Sequence, residues 1–194
     1  MSEESDVHRR LIEVAADLLS EEGPGALSAR RLAREAETST MAVYTHFGGM
    51  PALVRAVVAE GFARLYDRVA EVEPSDDPLA DLVASGVAYR AHALADPHLY
   101  LVMFGSASLG RYRLTQVELE VGMAAFDQLV GVVERVMAAG AIRAGDPRAV
   151  AGQFWVALHG YVMIELSGLS HVVDDPEAQI LQPLLANLLT ALAP

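Results

Sequence analysis

Two clusters of helix-stopping residues, Gly23-Pro24-Gly25 and Gly48-Gly49 with Pro51 just beyond, leave residues 26–47 no room for a long helix. Within that interval the sequence starts a helix twice. Ser28 precedes ARRLAREA and Ser39 precedes TMAVYTHF, each offering a hydroxyl to the free amides of a first turn. Leu32 and Ala33 face inward in the first, and Met41, Ala42, Val43 and Tyr44 carry the second. Two such short helices joined by a turn of about three residues form a helix-turn-helix. A second helix this brief is suited to lying in a groove, and a polyanion is the partner it fits.

The rest of the chain also reads as helix. A first helix from about Asp6 to Glu22 places Val7, Leu11, Ala15 and Leu18 on one face, and a fourth starts around Pro51 with Val54, Val58, Phe62, Leu65 and Val69 in a stripe. EPSDDP breaks the chain at residues 73–78, and Asp77-Pro78 is a cap followed by a first-turn proline. A fifth helix through Val83, Val87 and Tyr89 ends near Asp96-Pro97, and a short one follows from Leu101 to Phe104. A long helix from Arg113 to Ala139 is carried by Val117, Val121, Ala125, Leu129, Val132 and Val136. Asp146 to Gly168 and Pro176 to Ala193 make the last two. No alternating strand run is present, so the expected fold is all-α, with a helix-turn-helix domain over residues 1–50 and a helical effector-binding and dimerisation domain over 51–194.

Composition narrows the possible functions. With 194 residues and 53% apolar content the chain can bury a substantial core, and the absence of cysteine excludes disulfides, thiol catalysis and cysteine-ligated zinc. MSEESDVHRR lacks the basic region and apolar run of a signal peptide, so a cytoplasmic protein is expected. Residues 149–169 are about as long as a membrane span, but Gln153, His159 and Glu165 lie among them; a helix buried in protein or between subunits is expected instead.

The formal net charge of −12 argues against indiscriminate nucleic-acid binding, which needs a basic footprint. Its distribution matters more than its sum. Over residues 28–55, Arg30, Arg31, Arg34 and Arg55 face only Glu35 and Glu37, a locally positive island in an acidic chain.

In a helix-turn-helix the second helix reads base edges from its exposed first turns. Thr40, Met41 and Thr45 are the candidates for base contact, through a hydroxyl or by apolar contact with thymine methyls. Tyr44, His46, Ser39 and Ser28 can reach phosphate oxygens. Tyr44 and Phe47 also fit the role of core aromatics, and the two serines cap helices whether or not they touch a phosphate.

The stretch LIEVAADLLSEEGPGALSARRLAREAETSTMAVYTHFGGMPALVRAV resembles the N-terminal DNA-binding domain of the TetR family of transcriptional regulators, over roughly residues 8 to 57. Gly23, Leu32-Ala33, Ala36, Ser39, Tyr44, His46-Phe47 and Leu53 fall at family positions. Two departures stand out. Glu37-Thr38 occupies the place of the common Gly-Val, and Met50 replaces the usual lysine after the recognition helix, which removes a phosphate contact and lowers non-specific affinity. Arg30, Arg31 and Arg55 are possible substitutes.

AYRAHALADPHLYLVMFG (88–105) and FWVALHGYVMIELSG (154–168) resemble the ligand-binding and dimerisation domain named for its Trp-His-Gly signature, here Trp155, His159 and Gly160. Trp155 and His159 share a helical face, and with Tyr89, His92, Tyr100, Met103 and Phe104 they form the expected pocket, apolar with a few polar groups. Trp155 fits equally as a core residue, and His159 as a core hydrogen-bonding group. Glu165 has no partner identifiable from the sequence. His92 and His98 are poorly spaced for a shared metal, and neither a metal nor a cofactor is expected.

The resemblance implies a homodimeric repressor, paired through its last two helices, bound to near-palindromic double-stranded operator DNA and released by a small hydrophobic effector. The alternative is a helical small-molecule carrier or enzyme with a degenerate DNA-binding head. No nucleophile with its base, and no carboxylate pair, occurs at convincing spacing, so an enzyme is not expected.

Overall fold

In the computed structural model the described residues are 3–104, 116–169 and 172–194, and among them the secondary structure is entirely helical. The elements are α1 (Glu3–Glu22), a 3₁₀ turn (Pro24–Ala26), α2 (Ala29–Glu35), α3 (Thr40–Phe47), α4 (Met50–Ala70), α5 (Pro78–Ala95), α6 (Pro97–Phe104), α7 (Gln116–Ala138), α8 (Pro147–Leu166), a π turn (Glu177–Leu181) and α9 (Gln182–Ala191). The expected start of the seventh helix at Arg113 lies outside the described residues, as do the side chains of Val117 and Val121.

The chain divides into two compact units. The first comprises Met1–Arg64 with Asp96–Met123, and the second Leu65–Ala95 with Ala124–Pro194. In the first unit, Leu11, Ala15, Leu18 and Leu19 of α1 are buried, as are Leu32 and Ala33 of α2, Val43 of α3, and Leu53, Val57 and Val58 of α4. α6 returns to this unit from far along the chain. It packs on α1, where Ser20 Oγ donates to Asp96 at 2.7 Å and the His98 ring donates to the Ser20 carbonyl. On α4 the absence of a side chain at Gly61 makes room for α6: a Cβ there would lie 2.7 Å from Met103 Sδ. Phe62 and Phe104 meet edge to face at 5.4 Å beside it.

In the second unit Leu82, Val133, Val136, Ile142, Val150, Ala151, Phe154 and Leu192 form the core. Two of its helices, α5 and α8, begin on aspartate caps. Asp77 accepts from the amides of Leu79 and Ala80, Asp146 accepts from Arg148, and a proline follows each cap, where its missing N–H is harmless. The π turn has a local cause. Pro183 has no N–H to donate, and the Gln182 amide reaches five residues back to the Glu177 carbonyl.

Two details stand apart from the sequence reading. On α5, Val83 and Val87 are 58% and 64% exposed, and the buried residues are Asp81, Leu82, Ser85, His92 and Ala93. α5 is apolar over most of its surface, so apolar character alone does not select the buried side. The closing helix also differs, ending at Ala191 and opening with the π turn rather than running regularly from Pro176 to Ala193.

α8 is long and apolar enough to cross a membrane, with a third of that stretch buried in the chain. Two of its polar groups have partners inside the fold, Arg90 for Glu165 and Tyr89 for His159.

The buried charge of the second unit is Asp81. Ser75 donates to it through Oγ (2.6 Å) and the backbone N–H (3.0 Å), and Arg135 Nη1 does so at 2.7 Å. These bonds, those from Ser75 foremost, hold its pKa down from 3.8 to about 2. A depressed carboxylate contributes stability that is present above its unfolded pKa and is lost as the pH falls through the folded value. Asp81→Asn is therefore expected to lower the Tm by more than about 3 °C at pH 7. In thermal melts followed by circular dichroism, the gap between wild type and variant should close as the pH falls from about 4 to about 2.

Candidate nucleic-acid interface and effector site

The two short helices are held by their ends. Ser28 Oγ accepts from the Arg31 amide at 3.3 Å, and Ser39 Oγ from the Ala42 amide at 3.1 Å. α3 stops at Gly48, whose φ of 69° lets its N–H close on the Tyr44 carbonyl at 2.8 Å. Between these caps only Val43 is buried, against a core to which α2 contributes Leu32 and Ala33.

Four side chains of α3 point outward. Thr40, Met41, Tyr44 and Thr45 are exposed, Met41 by 70% and Tyr44 by 51%. Their spacing puts them on one face. The reading of Tyr44 as a core aromatic is thereby corrected. Phe47 is half-buried rather than central, with its ring stacked on His8 of α1 at 4.5 Å between centroids. His46 approaches the same His8 ring edge-on at 5.8 Å. His8, which the sequence reading passed over, therefore ties the end of α3 to α1.

The arginines are unequal. Arg30 is exposed, and among the described residues no ion pair holds it or Arg55. Arg31 is bridged through both terminal nitrogens to Glu22, and this hydrogen-bonded pairing holds the Glu22 carboxyl below its ordinary range. Arg34 is bonded to Glu35 at 2.7 Å.

In the second unit, three of the seven expected pocket residues meet. Tyr89 Oη lies 3.1 Å from His159 Nδ1, and Trp155 stacks on His159 at 5.4 Å. Phe126 of α7, which the sequence did not single out, meets Trp155 edge to face at 6.0 Å. Burial pushes the His159 pKa down, which favours a neutral ring at this aromatic cluster. His92 is buried on α5 in the same unit. Tyr100, Met103 and Phe104 belong to the first unit, where Tyr100 and Met103 are buried and Phe104 is half-buried against Phe62.

Glu165 finds its partner in Arg90. The guanidinium grips it through Nε (2.9 Å) and Nη2 (2.6 Å), bonds Glu177 at 2.8 Å and lies over the Tyr161 ring. Among the described residues no group of three or more His, Asp or Glu is placed to hold a metal ion.

Residues 11–57 match the bacterial regulatory proteins of the tetR family, and residues 82–188 match the tetracyclin repressor-like C-terminal domain. An uncharacterized HTH-type transcriptional regulator of Mycobacterium tuberculosis is 29% identical over 167 residues, covering 84% of this chain and 72% of that protein. Among solved structures, a protein of unknown function from Rhodococcus sp. RHA1 is 29% identical with a TM-score of 0.80, covering 97% of this chain and 96% of that one. RolR, solved in complex with resorcinol, shares the fold with a TM-score of 0.69 at 18% identity, over 97% of this chain and 88% of that one. The first match spans the helix-turn-helix and the second more than half of the chain, so this protein belongs to the TetR family of bacterial transcriptional regulators.

Proposed function

We propose that the protein is a cytoplasmic homodimeric repressor that reads a near-palindromic operator through α3 and leaves it when a small hydrophobic effector binds. The observation that carries the reading is the face of α3, which spends one side chain, Val43, on the core and presents Thr40, Met41, Tyr44 and Thr45 to solvent. In this reading Thr40, Met41 and Thr45 contact bases, while Tyr44, His46, Ser28, Ser39 and Arg30 contact the phosphate backbone. Arg31 joins them only if it leaves Glu22. Met50 in the place of the family's lysine leaves the head weak on non-specific DNA.

The regulatory part, residues 51–194 with its Trp155, His159 and Gly160, is assigned to the Trp-His-Gly subgroup. Tyr89, His92, Trp155 and His159 of the second unit are proposed to line the effector site. A neutral imidazole among aromatic rings suits an uncharged or weakly acidic aromatic molecule. RolR, which shares the fold, was solved with resorcinol.

Exposed Val156 and Ile164 on α8, with Leu184 on α9, supply the apolar surface of a two-fold interface between α8 and α9 of two subunits. Such a dimer presents two copies of α3 to half-sites about 34–36 Å apart. Effector binding then favours an arrangement in which α4 carries the heads out of that spacing. A coupling of about 1–3 kcal/mol suffices.

Fluorescence anisotropy on the intergenic DNA beside the gene, against a scrambled duplex, tests the DNA reading. Thr45→Ala is expected to reduce discrimination by about tenfold or more, and Tyr44→Phe to weaken both duplexes alike without changing the salt slope. A wild type that does not prefer any genomic fragment refutes the proposal. For the interface, Val156→Glu with Ile164→Glu should give monomers by analytical ultracentrifugation, with operator affinity at least about tenfold lower; a stable dimer contradicts it. Trp155 is the single tryptophan, so its fluorescence reports on the effector site. Small phenols that quench it are expected to lower operator affinity about 5- to 150-fold, and Tyr89→Phe to weaken the phenol while leaving effector-free operator binding unchanged.

A further inference from the structure

The turn between α2 and α3 closes with the paired backbone bonds of a Schellman motif. The Glu37 amide donates to the Arg34 carbonyl at 3.2 Å, and the Thr38 amide to the Ala33 carbonyl at 2.8 Å. The corner of this motif requires a left-handed residue, a role that glycine fills without strain. Here the corner is Glu37 at φ 52°, the one non-glycine residue with positive φ among the described residues. Its carboxylate accepts from Arg10 Nη2 of α1 at 3.0 Å.

Stability does not account for this choice. A Cβ in the left-handed region is strained. The pair available to offset the strain is open to water, with 51% of the Arg10 side chain and 78% of the Glu37 side chain exposed, and such pairs contribute little and are screened by salt. The chain therefore holds a strained glutamate and a weak ion pair where α3 begins. Ser39, the cap of α3, is two residues on, so Glu37 Cα lies within about 8 Å of it. That is within about one Debye length at physiological salt, so a phosphate docking at the start of α3 meets this carboxylate only partly screened.

Most of the other arginines of the head are paired: Arg9 is bonded to Asp6 and Glu13, Arg31 to Glu22, Arg34 to Glu35, and Arg64 to Glu60. Beyond Arg30 and Arg55, which no ion pair holds among the described residues, the head gains phosphate contacts by releasing arginines from carboxylates. Arg10 is the arginine held by the residue that leads into the recognition helix.

We propose that Glu37 is a specificity-determining residue that stands in for a DNA phosphate, holding the Arg10 guanidinium beside the start of α3 until a well-fitted duplex displaces the carboxylate. On mixed-sequence DNA the backbone is not held close enough for the exchange, and the carboxylate repels it. On the operator, the base contacts of α3 bring the phosphate into range, and Arg10 passes from one anion to the other. The inference rests on α3 being the DNA-reading helix.

Glu37→Gln tests it, because glutamine keeps the length of the side chain and the strained backbone while removing the charge. Binding to a mixed-sequence duplex of about 30 base pairs is measured by anisotropy across a salt series, with circular dichroism melts confirming folded protein. The variant is expected to bind this duplex about three- to tenfold more tightly at about 0.1 M salt, and the slope of log affinity against log salt to steepen by about 0.9 per head. Glu37→Gln combined with Arg10→Ala is expected to return the slope to that of wild type. An unchanged affinity and slope in the single variant overturns the proposal, as does a double variant that keeps the steeper slope; both outcomes leave the DNA reading of α3 standing. Failure of wild type and variants alike to bind any duplex at about 0.05 M salt overturns both together.

Discussion

A helix of two turns does not hold its shape alone in water, because nucleating it costs more than its few hydrogen bonds return. α3 is such a helix, and its persistence depends on what restrains it from outside: the Ser39 cap, the left-handed Gly48, Val43 in the core, and Phe47 against His8. Because those restraints act at the ends and on one side, the opposite side is free of structural duty. That freedom lets a face carrying Thr40, Met41, Tyr44 and Thr45 be specified by a partner rather than by the fold. The same economy explains why the head needs a preformed scaffold of α1, α2 and the first part of α4, whose buried leucines and valines hold the position of α3.

The second unit solves a different problem, since it is apolar enough to collapse in many ways. Charged groups with demanding partners give it a unique arrangement. Asp81 ties the loop at Ser75 to Arg135 of α7, and Arg90 of α5 grips Glu165 of α8 in a bidentate pair while reaching Glu177. Each of these bonds fixes one helix against another, where apolar contacts alone would tolerate sliding. Removing one member of such a pair strands the other in a poorly solvated place, so these residues hold the register at a cost in stability when either is lost.

The sequence made visible what is decided within a few residues. The caps at Ser28, Ser39, Asp77 and Asp146, and the stop at Gly48, depend on local hydrogen bonding, and the structure has each in place. What depends on distant chain was not legible. Arg90 is far from Glu165 in sequence, and nothing near Glu165 points to it. The return of α6 to α1 rests on Ser20, Asp96 and His98, which no periodic pattern connects. The buried side of α5 was not legible either, because on a helix apolar over most of its surface periodicity identifies faces without ranking them. Tyr44 was ambiguous for a related reason: an aromatic ring suits a core and a phosphate-facing surface equally, and only the placement of Val43 decides between them. Phe126 was missed because its partner, Trp155, lies on another helix.

The central claim is that the open face of α3 lies in a major groove at two symmetric half-sites. Dimethyl sulfate probing tests it directly, since the reagent attacks guanine N7, an atom exposed only in that groove. The account predicts protection in two patches centred about 10 base pairs apart, or a multiple of that, on one face of an operator fragment, with both patches lost when Thr45 is replaced by a bulky acidic residue in folded protein. Guanine N7 atoms that remain fully reactive across a bound operator, or a single unphased stretch of protection, would contradict it.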